Sequence, residues 1–261
     1  MNMDNKINQY FILPAAGKRM IAKAVSGIPS IKEALETGTV VIVAGTTNSY
    51  VAEEILKIIN QDSEFFARRF FRGISLPPKY QMTDAGRLGD ESRFIGDVVL
   101  VNGQWDKGKT IYDVADNLGK GDIIIKGANA VNIKSRQAAV LIGHPKAGTI
   151  SAILQAVAGR RVELILPVGL EKRIDGDIGE IAGRLNSANA SGHRYFPVSG
   201  NLITELDAIT ILTGAKAELV AGGGVCGAEG GYWIAVSGTD TQLKRADDLL
   251  AEAIKEPNFT L

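Results

Sequence analysis

Three short runs of aliphatic, largely β-branched residues constrain this chain more than any other feature. Thr39–Ala44 (TVVIVA), Asp122–Lys126 (DIIIK) and Glu163–Pro167 (ELILP) are each too short for a core helix, and each meets a glycine within two residues of its end. Runs that are apolar on both faces read as strands buried on two sides, the mark of a parallel sheet. Ala138–Ile142 (AAVLI) reads the same way. Between these runs the spacing turns helical: 18–25, 29–36 with Pro29 at a helix start, 50–60, 110–118 stopped by Gly119, and 149–158 stopped by Gly159. The alternation predicts an α/β fold over residues 1–185, a Rossmann-like parallel sheet with helices on both faces.

The rest of the chain is read around that frame. Residues 61–96 are less regular, with Phe65, Phe66, Phe70 and Phe71 spaced as core and Pro77–Pro78 as a break. Residues 97–101 and 104–105, joined across Asn102–Gly103, predict a hairpin, because Asn-Gly suits a turn with positive φ at both central positions. The polar stretch 186–194 reads as a linker. Beyond it, strands at 195–198, 217–221, 232–237 and 258–260 with helices at 203–213 and 240–254 give a β-α-β-β-α-β order. That order predicts a second, ferredoxin-like domain over 195–261. Gly222–Gly231 then forms the turn between its two central strands.

Composition narrows the function classes. Lys plus Arg and Asp plus Glu both number 29, so the formal net charge is zero, and no basic stripe is present. Nucleic acid is therefore not expected as a partner, whereas a local pocket for one small anion remains open. A single cysteine, Cys226, allows no internal disulfide, and the N-terminus does not read as a signal peptide, so a cytoplasmic location is expected. No apolar run approaches the ~18–20 residues of a membrane helix, and no membrane association is expected. Two histidines and one cysteine are too few for a Cys/His zinc site, so neither metal nor cofactor is expected. The exposed edges of a ferredoxin-like unit predict a homo-oligomer.

In an open parallel sheet, ligands sit beyond the carboxyl ends of the strands. Four segments follow the four predicted strands: Gly45-Thr46-Thr47-Asn48-Ser49, Lys126-Gly127-Ala128-Asn129, Gly143 to Thr149, and Val168 to Lys172. The first and third lead into helices, whose N-termini carry free N–H groups and the positive end of the dipole. Gly45, Thr46, Thr47, Asn48 and Ser49 fit a phosphate or carboxylate cradle, as do Gly148 and Thr149, with charge from Lys126 and Lys146 and orientation from Gly127 and Asn129. The same side chains also read as ordinary N-caps: Asn48 or Ser49 for one helix, Thr149 for the other. His144 and Glu171 are the candidate proton-transfer groups, and Lys126 a candidate stabiliser of an oxyanion or enolate-like state. His144 before Pro145, and Glu171 beside Lys172 and Arg173, also read as loop and surface residues. Cys226, among glycines, reads as a small residue in a tight hairpin.

The segment TGTVVIVAGTTNSYVAEEIL resembles the opening unit of the ribose-5-phosphate isomerase and CoA-transferase-like superfamily. DIIIKGANAVN is similar to the later Asp-Gly-Ala-Asp-type turn of that superfamily. The resemblance implies the fold and an anion-binding loop. Lys126 and Asn129 stand where the isomerase has acidic residues, and 131–140 offers neither its Lys-Gly-Gly run nor its catalytic glutamate, so the isomerisation itself is not implied. FILPAAGKRM is similar to the nucleotide loop of sugar nucleotidyltransferases but lacks the second glycine. The expected function is binding of a small phosphorylated or carboxylated metabolite at the strand ends, as a sugar-phosphate isomerase or group-transfer enzyme. The alternatives are a non-catalytic metabolite sensor or oligomerisation protein, and a sugar nucleotidyltransferase-like enzyme.

Overall fold

The computed structural model describes residues 6–73, 75, 76, 79–81, 83, 86, 89 and 94–260. Pro77–Pro78 lie outside the described residues. In chain order the elements are β1 (Lys6–Ile12), α1 (Pro14–Ser26), α2 (Pro29–Thr37), β2 (Thr39–Ile42), α3 (Thr46–Ile58), β3 (Val98–Val101), β4 (Gln104–Trp105), α4 (Ile111–Val114), β5 (Ile123–Ile125), β6 (Ala130–Asn132) and β7 (Gln137–Ile142). Then follow α5 (Thr149–Arg160), β8 (Glu163–Pro167), α6 (Ile178–Leu185), β9 (Arg194–Val198), β10 (Asn201–Ile203), α7 (Glu205–Thr213), β11 (Lys216–Gly222), β12 (Tyr232–Gly238) and α8 (Asp240–Ala253). The fold is mixed α/β.

Among the described residues the strands form three sheets. The central one runs β10-β8-β5-β2-β3-β4. Its first four strands are parallel and the β3–β4 hairpin continues it antiparallel. The β-branched runs form these central strands because both faces are covered. Val40, Ile42, Ile123, Ile125 and Ile165 point to a core shared with α1, α3 and α7, while Val41, Ile124, Leu164 and Leu166 point to a core shared with α5. The alternation is the period of two that a strand imposes on its side chains. At the hairpin, Asn102 and Gly103 take φ of 47° and 73°. Asp122 holds the sheet's entry edge, accepting from Thr39 N (2.7 Å) and Gly119 N (2.8 Å).

Two expectations about pairing are corrected. Residues 138–142 were expected in the parallel sheet, but β7 pairs antiparallel with β6 and β9 in a separate sheet. The β-α-β-β-α-β order over 195–261 also fails in its strands. The stretch expected as its first strand, β9, belongs with β7, and 258–260 is not a strand. The third strand beside β11 and β12 is instead β1, paired antiparallel with β12 from Lys6↔Gly238 to Ile12↔Tyr232. This sheet joins residues from both expected domains. One face of it packs through Ile12, Ile234 and Val236 into the core that α1, α7 and α8 share. No described helix is long and apolar enough to cross a membrane.

Candidate functional site

The C-terminal ends of β2, β5, β8 and β10 are tied together by their own backbone. Val43 N donates to Ile125 O, Lys126 N to Ile165 O and Val168 N to Ile203 O, each at 3.0 Å. The segment after β2 enters α3, but its side chains do not cap the helix. The N-cap is Gly45, and Thr47, Asn48 and Ser49 are buried. Asn48 Nδ2 instead donates to Val43 O (2.7 Å) and Ile125 O (3.1 Å), stitching β2 to β5, and Ser49 Oγ donates to Thr46 O (2.7 Å). The capping role expected of Asn48 or Ser49 is therefore replaced by a cross-strand clamp.

A cleft of about 690 Å³ lies on the side of the sheet where α5 packs. Its walls include Lys126 and Asn129 after β5, Val140–Ile142 of β7, the loop Gly143–Gly148, and the first turn of α5. A volume of this size suits a small metabolite. Arg72, Lys126 and Lys146 supply cations to the lining, and among the described residues no Asp or Glu lines the cleft. Among the described residues, the carboxylate with a Coulombic effect on Lys126 is Asp97. It is already engaged: it accepts from Ala44 N (2.9 Å) and Ile111 N (2.9 Å) and pairs with Arg72 (3.3 Å). Lys126 Nζ makes no ion pair or hydrogen bond with any described residue. Burial pushes its ammonium down to about 8, Asp97 opposing, with Arg72 and Lys172 lowering it further.

The loop before α5 is shaped for backbone donors. Ala147 has φ of 61°, and Gly148 has φ of 62° with ψ of −148°, a combination essentially confined to glycine. Gly148 is the N-cap and no side chain caps α5, so the expected capping by Thr149 is also corrected: Thr149 is the first helical residue. The amides of Thr149 and Ile150 have no backbone acceptor among the described residues, while Ser151 N reaches Gly148 O at 3.3 Å. Arg194 Nη2, from β9, donates to the carbonyls of Gly143 (3.0 Å) and His144 (3.1 Å), which fixes the loop from behind. His144 is exposed, and its Nδ1 accepts from Lys146 N (3.1 Å).

Of the residues expected at the site, Lys126, Asn129, His144, Lys146, Gly148 and Thr149 line this one cleft. Gly45, Thr46, Thr47, Asn48, Ser49 and Gly127 do not line it. Glu171, expected as a proton-transfer group, sits elsewhere along the rim, its Oε1 paired with Lys18 Nζ at 2.6 Å. Burial pushes the Glu171 carboxyl up, but Lys18 and Lys172 more than offset this and leave it below its ordinary value. Arg19, in the stretch similar to a nucleotide loop, is likewise occupied by Glu53, Glu54 and Glu256. Arg72, Thr110, Tyr112 and Ser151 line the cleft without having been expected. Only Ser151 carried a signal, its place in the first turn after Gly148. Among the described residues no group of three or more His, Cys, Asp or Glu is placed to hold a metal ion. No protein-family model, curated protein or solved structure matches this chain.

Proposed function

We propose that the cleft binds a small phosphorylated or carboxylated metabolite, with its anionic group at the N-terminus of α5. The observation that supports this reading is the charge that the described residues give the lining: three cations, no carboxylate, and a half-buried Lys126 with no ion-pair partner among them. A helix N-terminus with free amides adds partial positive charge directed at the same space. Lys146 supplies a mobile point charge at the mouth and Asn129 an orienting amide. A Rossmann-like reading of the parallel strands, and membership of the ribose-5-phosphate isomerase and CoA-transferase-like superfamily, belong to the same proposal and place the ligand at the strand C-terminal ends.

A thermal-shift titration with inorganic phosphate, pyruvate and dihydroxyacetone phosphate tests it. A ligand at 100 times its Kd adds about 2.7 kcal/mol of stability. The expected result is saturable stabilisation by at least one of the three, reduced in Lys146→Ala and Lys126→Met. No stabilisation by any, or equal stabilisation in both variants, removes the reading. A second reading, a sensor that binds the ligand without turnover, is favoured by the lack of a carboxylate base among the described lining residues. Isotope exchange from solvent into the bound ligand distinguishes the two, because a sensor leaves the ligand's C–H bonds untouched.

A further inference from the structure

We infer that Lys126 is a nucleophile, and that the ligand of the cleft is an anionic aldehyde or ketone which its amine captures as an imine. The inference rests on the anion-binding reading of the cleft and names the ligand class more closely. Four observations carry it. Lys126 lines the cleft, and its Nζ has no anion within ion-pair distance among the described residues, so its lone pair is not committed to a structural bridge once the proton is lost. Asp97, the carboxylate acting on it, has its oxygens taken by two backbone amides and Arg72. The residue is rigidly placed, immediately after a central parallel strand, with its amide bonded to Ile165 O (3.0 Å). Beside Asp97, which favours the charged form, its described charged neighbours are the cations Arg72 and Lys172, both of which disfavour a further positive charge.

With the ammonium held near 8, a useful fraction of the amine is free at neutral pH. Lys146 lines the same cleft from an exposed position. The step is balanced without an oxidant or reductant. The Lys126 nitrogen adds to the carbonyl carbon to give a carbinolamine, and the former carbonyl oxygen leaves as water. It carries away the two hydrogens that the neutral amine brought, and a C=N bond remains. Tyr112 and His144, both in the lining, are the groups able to protonate the departing oxygen.

The test is reductive trapping on the intact protein. The protein is incubated at pH 7.5 with pyruvate or dihydroxyacetone phosphate and sodium cyanoborohydride, and the modified lysine is located by peptide mass mapping. Acetone serves as a carbonyl without an anion. The expected result is one adduct per chain on Lys126 with an anionic carbonyl, at least tenfold less with acetone, protection by inorganic phosphate, and no adduct in Lys126→Arg. Binding of the same probes is followed in parallel by thermal shift. Stabilisation by a probe with no adduct on Lys126 overturns the imine alone and leaves the anion cleft standing. Adducts scattered over surface lysines, or not displaced by phosphate, overturn it also. The absence of both stabilisation and adduct overturns both readings.

Discussion

The hydroxyl of Tyr232 donates to Oε1 of Glu205 at 2.6 Å, and both residues are fully buried. The second oxygen of that carboxyl accepts from Leu170 N at 2.9 Å. Gly17 of α1 lies against the pair, and any side chain there would collide with both the hydroxyl and the carboxyl. One buried acid at the start of α7 thus meets the turn after β8, the start of β12 and helix α1.

Burial first, and the charge of Glu171 second, raise the Glu205 carboxyl to about 7 from its ordinary 4.5. In the fold it holds its proton over a range where the unfolded chain has lost it. Its stabilising contribution is complete below about 4.5 and is lost as the pH rises through 7. Urea midpoints are expected to fall between pH 5 and 7.5, by at most about 1.4 kcal/mol per pH unit. Glu205→Gln mimics the protonated acid and should flatten that slope. Parallel curves for the two proteins would show that another group is responsible.

Asn48→Ala should destabilise by about 1–3 kcal/mol, because it leaves the Val43 carbonyl buried without its donor and cuts the side-chain link from β2 to β5. Ser49→Ala removes only a local bond to Thr46 and should stay below about 1 kcal/mol. Chemical denaturation distinguishes them. Equal losses would mean that the cross-strand clamp carries no special weight.

Anion affinity should follow the charge on Lys126. Sulfate keeps its charge across the working range, so its binding reports the protein alone. Burial lowers Lys126 to about 8, with Asp97 opposing and Arg72 and Lys172 assisting, so affinity is expected to be constant below pH 7 and to fall as the pH rises through 8 to 9.5. Lys126→Met should bind more weakly and lose this pH dependence. Calorimetric titration at several pH values measures both, and a flat wild-type profile would remove Lys126 from the anion's surroundings.

Arg194→Met should weaken anion binding several-fold while changing stability by less than about 1 kcal/mol. Arg194 holds the carbonyls of Gly143 and His144 from outside the cleft, and without it the loop must be ordered by the ligand itself. Faster hydrogen exchange at amides 143–148 in the free variant is the direct readout. Unchanged exchange would show that the positive-φ turn at Ala147–Gly148 holds the loop without help.

Much of the cleft was legible because its parts are local. Lys126 and Asn129 follow a β-branched strand, and Gly148-Thr149 opens a helix; both relationships lie within a few residues of sequence. Arg72 and Tyr112 were not legible, since nothing in residues 61–96 or in a one-turn helix says which cleft they will face. Thr47 and Asn48 were misread for a related reason. A polar run at a helix start has the same composition whether it faces a ligand or the ends of two buried strands.

The sequence by itself determined the central strands and most of the helices, because those depend on the period of side chains along a few turns of chain; β1, β6, β10 and α6 were not read from it, and 258–260 was read as a strand and is not one. Only the tertiary structure decided the partners. β7, although an apolar run like β5 and β8, pairs antiparallel with β9, and β1 closes a sheet with β12 more than 200 residues away. Backbone hydrogen bonds are alike in every strand, so the choice of neighbour rests on which faces can be buried together across the whole molecule, and that is not written in any one segment.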